Sequence, residues 1–243
     1  MSYGAFARWY DALTADVDYD KYAEFIHTAL QKYKPGCKLI ADLACGTGSL
    51  TVRLAELGYD VIGVDSSPDM LSVAREKGDS ILYLNQRLEE LDLYGTVDAF
   101  VCTLDSINHI VSEKNLVAAF TRAALFLEPD GIFIFDANTP YKHREILADN
   151  AFIYDLGEIY CVWQNETNND LTSISLDFFE KQGEVYIRSS ESMKERGYSP
   201  EHLSLLLEKA GLEIIGANDD YSAAPPNEKS QRIVYICKKI RQI

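Results

Sequence analysis

The chain is 243 residues long, 47% hydrophobic, and carries a formal net charge of −15. That length suits one domain with room for an insertion. The acidic excess repels phosphate backbones and anionic lipid, so neither nucleic acid nor membrane is an expected partner.

Five cysteines without a Cys-x-x-Cys pair make a poor disulfide frame or zinc site. They are read as reduced thiols, with a cytoplasmic location and no metal expected. The opening "MSYGAFARWYDALTADVD" has no basic-then-apolar leader pattern, and no apolar run approaches the roughly 20 residues of a membrane span.

In chain order, "KYAEFIHTALQK" (21–32) sets Tyr22, Phe25, Ile26 and Ala29 at helical spacing and is stopped by "KPG". "CKLIADL" (37–43) reads as a strand, "SLTVRLAELG" (49–58) as a helix, and "YDVIGVD" (59–65) as a second strand. The next helix, "SSPDMLSVAREKG" (66–78), starts with Ser67 as a cap, Pro68 at the first helical position and Asp69 against the dipole. "SILYLN" (80–85), "VDAFVCT" (97–103) and "DGIFIFD" (130–136) read as strands, with a helix over 113–127 between the last two. Apolar strands alternating with helices predict a parallel sheet covered on both faces.

The alternation breaks after residue 140. "AFIYDLG", "IYCVWQN", "LTSISLDFFE" and "EVYIRSS" read as strands, with hairpin turns at "NETNND" (165–170) and "KQGE" (181–184). His143 and Arg144 read as a solvated helix start. "SPEHLSLLLEKAG" (199–211) returns to helix, capped by Ser199, and "LEIIGAN" and "RIVYICKKI" close the chain as strands.

"DLACGTGSL" (42–50) joins the first strand to its helix. No Gly-Lys-Ser/Thr follows, so it is not a P-loop. A dinucleotide turn wants a third glycine where this chain has Thr51. Asp65, ending the second strand, can accept from both ribose hydroxyls. A carboxylate at Asp42 repels a pyrophosphate and suits an ammonium. Gly-x-Gly alone also marks an empty tight turn, but Asp42, Gly46, Gly48 and Asp65 together fit a ligand with a ribose and a cation and no phosphate, as in S-adenosylmethionine.

With these residues the chain resembles the class I S-adenosylmethionine-dependent methyltransferases, in the bacterial branch containing small-molecule N-methyltransferases. The likeness is carried by "YDALTADVDY", "DLACGTGSL", "GVDSSPDML", "CTLDSINHI", "LEPDGIFIFD", "WQNE", "RGYSPEHLSLLLEKAG" and "PPNEKSQRIVYICKK", and so by nearly the whole chain. It implies an α/β, Rossmann-like fold: a seven-stranded, mostly parallel sheet with helices on both faces and its last strand antiparallel, plus a small antiparallel β insertion. Residues 1–139 and 195–243 would form the cofactor domain and 140–194 the insertion near the acceptor. The implied activity is methyl transfer, by in-line displacement, to a nitrogen or oxygen of an unidentified small molecule. A non-catalytic S-adenosylmethionine-binding module and an NAD-dependent oxidoreductase are the other readings; Thr51 and Asp42 oppose the second.

The resemblance further implies that Asp42, Ala44, Gly46 and Gly48 hold the methionine end, that Asp65 and Ser66 hold the ribose, and that Met70 packs on adenine. Tyr10 and Tyr19 would cover the cofactor as a lid, and Leu104 and Ser106 would face the sulfonium. Gln86, Arg87 and Leu88 stand where the family reads Gln-Asp-Met, and Arg87 cannot accept from the adenine amino group. His109 is the candidate general base or a backbone-bonded histidine; Asp105 orients an acceptor amine or caps a helix. Trp9 is expected in the core. Trp163, Arg196 and Tyr198 are candidates for the acceptor pocket, and the protein is expected as a monomer or homodimer.

Overall fold

The computed structural model describes residues 4–240; Met1–Tyr3 of the opening stretch and residues 241–243 lie outside it. Two helices, Gly4–Leu13 (α1) and Tyr19–Tyr33 (α2), precede the first strand, Leu39–Leu43 (β1). Then come Ser49–Glu56 (α3), Asp60–Asp65 (β2), Pro68–Lys77 (α4), Leu82–Asn85 (β3), Val97–Cys102 (β4), Glu113–Phe126 (α5) and Leu127–Asn138 (β5). After an interruption the chain resumes with Pro200–Lys209 (α6) and two last strands, Leu212–Asp219 and Arg232–Lys239.

The predicted caps form. Ser67 Oγ accepts the Met70 N–H at 3.2 Å and Ser199 Oγ accepts the His202 N–H at 3.2 Å, each contributing about 1 kcal/mol to its helix.

Successive residues of a strand face opposite sides of a sheet, and here both sides are apolar. Ala41, Leu43, Phe100, Cys102, Phe133 and Phe135 pack on one face against Leu116 and Phe120 of α5 and Leu203 and Leu206 of α6. Ile40, Ala99, Val101, Ile132 and Ile134 pack on the other against Ile26 and Leu30 of α2 and Leu50 and Leu54 of α3. Burying each large side chain contributes roughly 1.5–3 kcal/mol, and only a sheet covered on both faces gains it twice per strand.

The interruption holds a second sheet: Ala151–Asp155 (β6), Ile159–Asn168 (β7), Leu171–Gln182 (β8) and Val185–Arg196 (β9), antiparallel neighbours in that order. Its strands outrun the sequence expectation. β7 runs through Asn168, so the turn is Asn169–Asp170, with Asn169 at φ 55°, rather than the whole of 165–170. A π-helical turn, Lys142–Leu147, comes before the sheet. His143 within it is fully buried against Thr172 Oγ1 at 2.8 Å, which corrects the solvated helix start.

With the last two strands as β10 and β11, the main sheet has the order β10-β11-β5-β4-β1-β2-β3. β11 is antiparallel to both neighbours, while β1, β2, β3, β4 and β5 pair in parallel. The architecture is thus the expected one, a mostly parallel seven-stranded sheet with its last strand antiparallel and a separate small antiparallel sheet. The strand order reverses at β1, which pairs with both β2 and β4, and ligands of open α/β sheets bind beyond the strand ends at such a reversal.

α1 ties the two sheets together. Phe6, Trp9 and Leu13 pack against Ile159, Cys161, Ile174, Leu176 and Phe178 of the small sheet. At its other side, Asp11 accepts the Thr47 hydroxyl at 2.6 Å and pairs with Lys77 at 2.6 Å.

Candidate active site

Two loops leave the sheet at the reversal, one after β1 and one after β4, and both are held in left-handed backbone. Ala44 (φ 55°), Leu104 (φ 55°) and Asp105 (φ 52°) join Gly46 (φ 54°) and Gly48 (φ 76°) there. Left-handed backbone costs a non-glycine residue roughly 1–2 kcal/mol, and it persists where surrounding bonds over-determine it.

Those bonds are carboxylates at strand ends. Asp136, near the end of β5, is fully buried and accepts the N–H groups of Leu104 (2.9 Å) and Asp105 (2.6 Å) and the Tyr221 hydroxyl (2.6 Å). Asp65, closing β2, accepts the N–H groups of Gly46 (2.9 Å) and Ser67 (2.8 Å). Asp42, at the end of β1, accepts the Thr51 hydroxyl at 2.6 Å. Burial pushes the Asp42 carboxyl up to about 7 against the lowering effect of Thr51, and Asp65 nearby adds to the rise. The two glycines differ in purpose. A side chain at Gly48 would meet Tyr83 Oη at 2.9 Å, whereas the space beside Gly46 is open.

Two cavities flank these loops. A small one, about 30 Å³, is lined by Asp42, Ala44 and Gly46 from the first loop, Leu104 and Ser106 from the second, and Tyr10 and Tyr19 above. Burial raises the pKa of both tyrosine hydroxyls, that of Tyr10 well above its ordinary value. A larger cavity, about 360 Å³, opens between the two sheets. Its far end is apolar, with Ile146, Phe152, Trp163, Leu176 and Met193; its near end carries Asp105, His109, Lys142, Glu195 and Arg232. Tyr10 and Leu104 line both cavities.

Seven candidates from the sequence therefore meet around the small cavity: Tyr10, Tyr19, Asp42, Ala44, Gly46, Leu104 and Ser106. Asp65 bonds the rim loop, with Ser66 exposed beside it and Met70 buried at the start of α4. Gln86 is spent on its own loop, donating to Asp92 O (3.0 Å) and accepting from Asp92 N (2.8 Å). Arg87 pairs with Glu89 at 2.7 Å, and Leu88 packs on the core. Trp163 lines the large cavity, but Arg196 and Tyr198 do not. Tyr198 is a core residue whose hydroxyl donates to Ile110 O.

Asp105 starts the 3-10 turn Ser106–His109 without capping it; its carboxylate instead takes Arg232 at 2.7 Å. Burial alone would raise that carboxyl, but Arg232, Lys142 and His109 outweigh it and hold it below the usual range. Glu195, which the sequence reading did not single out, lies buried 3.6 Å from His109 Nε2 and 3.9 Å from His143 Nε2. Asp105, His109 and Glu195 hold one donor atom each within 4.8 Å of one another. Asp105 already spends its charge on Arg232 at 2.7 Å, which leaves too few free carboxylates here to hold a divalent metal ion.

Residues 40–131, spanning β1 to the start of β5, match the model of a methyltransferase domain. The crystal structure of an S-adenosylmethionine-dependent methyltransferase from Clostridium acetobutylicum ATCC 824 superposes with a TM-score of 0.89 at 35% identity, over 98% of each chain. A Bacillus subtilis (strain 168) protein named as a methyltransferase, YqeM, is 32% identical over 100% of this chain and 99% of its own length. The chain belongs to the S-adenosylmethionine-dependent methyltransferases. A glycine/sarcosine N-methyltransferase of Halorhodospira halochloris is a more distant relative, 24% identical over 96% of this methyltransferase and 86% of that one. Membership sets aside the oxidoreductase reading, and the physical reason is visible: Thr51, where a dinucleotide turn needs glycine, is bonded to Asp42. No helix among the described residues of this methyltransferase is long and apolar enough to cross a membrane.

Proposed function

We propose that this enzyme methylates a nitrogen or oxygen of a small molecule held in the large cavity. The observation that carries the proposal is the junction at Tyr10 and Leu104, where the small cavity at the glycine turn meets the large one. Methyl transfer needs two reactants held in line and shielded from water, and two adjoining cavities under one lid meet that need. The glycine/sarcosine relative makes nitrogen the first choice.

S-adenosylmethionine supplies a methyl group already activated on a sulfonium. The chain's own residues position it and its partner. Asp42, Ala44, Gly46 and Gly48 take the methionine end, where a buried, high-pKa carboxylate gains most from an ammonium neighbour. Asp65, with Ser66 beside it, has lone pairs left for ribose hydroxyls after accepting two backbone N–H groups. Met70 and Leu88 offer apolar contact to adenine beside Gln86 and Arg87. Tyr10 and Tyr19 cover the site, Leu104 and Ser106 face the sulfonium, and Asp105, His109 and Trp163 border the acceptor. On this reading 1–139 and 195–243 bind the cofactor and 140–194 wall the acceptor.

The free thiols, four buried and Cys45 half-buried, support a cytoplasmic enzyme. We take it as a monomer or homodimer without nucleic-acid or membrane partners. Only a species that binds the native state raises its melting temperature. S-adenosylhomocysteine should raise it and NAD should not; equal shifts, or a shift with NAD alone, overturn the reading.

A further inference from the structure

Glu195 is 3% exposed, yet its carboxylate is barely bonded. Oε2 accepts one long hydrogen bond, from Asn138 Nδ2 at 3.5 Å, and Oε1 faces His109 Nε2 at 3.6 Å. A buried carboxylate with so few donors is costly, and this one lines the charged end of the large cavity. Two other carboxylates line the cavity: Asp105 is engaged by Arg232 at 2.7 Å, and Asp16 is exposed to water. Beyond this polar end the cavity is walled by Phe152, Trp163, Leu176 and Met193, with room for a ring.

Resting on the methyl-transfer reading, we propose that Glu195 is the proton acceptor for an acceptor molecule that carries an ionisable amine on an apolar, ring-bearing body. The ammonium docks on the Glu195 carboxylate and the body fills the aromatic end. One N–H bond then breaks toward a Glu195 oxygen. Its electron pair stays on nitrogen as the lone pair that methylation needs, and Glu195 becomes a neutral carboxylic acid. His109, 40% exposed at its side chain and 3.6 Å away, passes the proton to water.

The groups around Glu195 are consistent with this use. Asp105 and His109 face it from the loop after β4, Asn138 from the end of β5, Lys142 and His143 from the π-helical turn, and Arg232 lines the same cavity end from β11. Burial, then Asp105, pushes the Glu195 carboxyl up to about 7, with His109 and Lys142 opposing. A group poised there can take a proton and return it. Burial lowers the pKa of His143 to about 4, so that imidazole is neutral and adds no competing charge.

The test uses the full chain and two probes of one shape, phenethylamine and 2-phenylethanol, followed by calorimetry from about pH 5.5 to pH 8. The amine should bind wild type more tightly as pH rises, by about tenfold per pH unit below pH 7, as Glu195 ionises. The alcohol should show no such slope. Glu195→Gln should weaken the amine by about ten- to a hundredfold above pH 7 and flatten its profile, leaving the alcohol unchanged. Equal behaviour of amine and alcohol in wild type, binding of neither, or a pH slope that survives Glu195→Gln overturns the proposal. If Glu195→Gln does not fold, the two wild-type profiles still decide. S-adenosylhomocysteine is titrated into the same samples. Its failure to bind wild type removes the methyl-transfer reading, whereas its binding alongside a flat amine profile removes the Glu195 assignment alone.

Discussion

Asp65 Oδ2 accepts the backbone N–H of Gly46 at 2.9 Å, so the end of β2 is bonded to the glycine turn that follows β1. Its other oxygen accepts from Ser67 N at 2.8 Å, at the start of α4. One carboxylate therefore shapes the turn and faces the place where the ribose is proposed.

Asp65→Ala should accordingly fail in two ways. Losing both backbone bonds should cost about 2–4 kcal/mol in the urea-derived stability. S-adenosylhomocysteine affinity of the folded fraction should fall roughly ten- to several-hundredfold by calorimetry. Unchanged affinity with a lowered urea midpoint would leave Asp65 a purely structural residue.

Asp42 makes stability depend on pH. Its carboxyl titrates at about 7 when folded and at ~3.9 in an unfolded chain. The folded state holds the proton more tightly, so the stability this group contributes is fully present below pH ~4 and is lost as pH rises through about 7. Asp42→Asn removes that loss. Its urea midpoint relative to wild type should rise between pH 5 and pH 8; a constant difference would contradict the assignment.

Asp136 holds the left-handed Leu104–Asp105 corner through two backbone N–H bonds and takes the Tyr221 hydroxyl besides. Asp136→Ala leaves two half-buried backbone donors and the buried Tyr221 hydroxyl unpaired. We expect a loss of roughly 3 kcal/mol or more, with faster hydrogen exchange at the amides of Leu104 and Asp105. Protection equal to wild type at those two amides would show that the corner is held by other means.

On the proposed reading the methionine group enters the small cavity, about 30 Å³, beneath Tyr10 of α1, and α1 would act as its lid. Asp11 latches that lid to Thr47, Ser49 and Lys77. Its side chain is 43% exposed, so Asp11→Asn should change stability by less than ~1 kcal/mol. Stopped-flow binding of S-adenosylhomocysteine should nonetheless become faster in both directions. Unchanged rates would mean the latch does not gate entry.

Much of the fold was legible in the sequence because it rests on local rules. The periods of 2 and 3.6 residues that separate strand from helix, the Ser67 and Ser199 caps, and the glycines at φ near +54° and +76° are written in windows of a few residues. The glycine turn and Asp65 were legible too, since strand ends and turns carry their own residue signatures.

What the sequence left open was set by contacts between residues far apart in the chain. Asp105 reads equally as an amine-orienting carboxylate and as a helix cap until Arg232, 127 residues away, occupies its carboxylate. Tyr198 reads as a pocket residue until its hydroxyl reaches Ile110 O, 88 residues away. Glu195 sits in a strand that otherwise reads as polar and solvent-facing, and nothing within ten residues of it marks the carboxylate as buried. Burial of that kind is decided where the end of β9 meets the ends of β4 and β5, as when Asn108 Nδ2 donates to both Asn138 O (2.9 Å) and Arg196 O (2.8 Å). Periodicity reports which face of one element avoids water. The partners, charge and proton affinity of a buried group depend on what other elements bring to that face, and only the tertiary structure decides that.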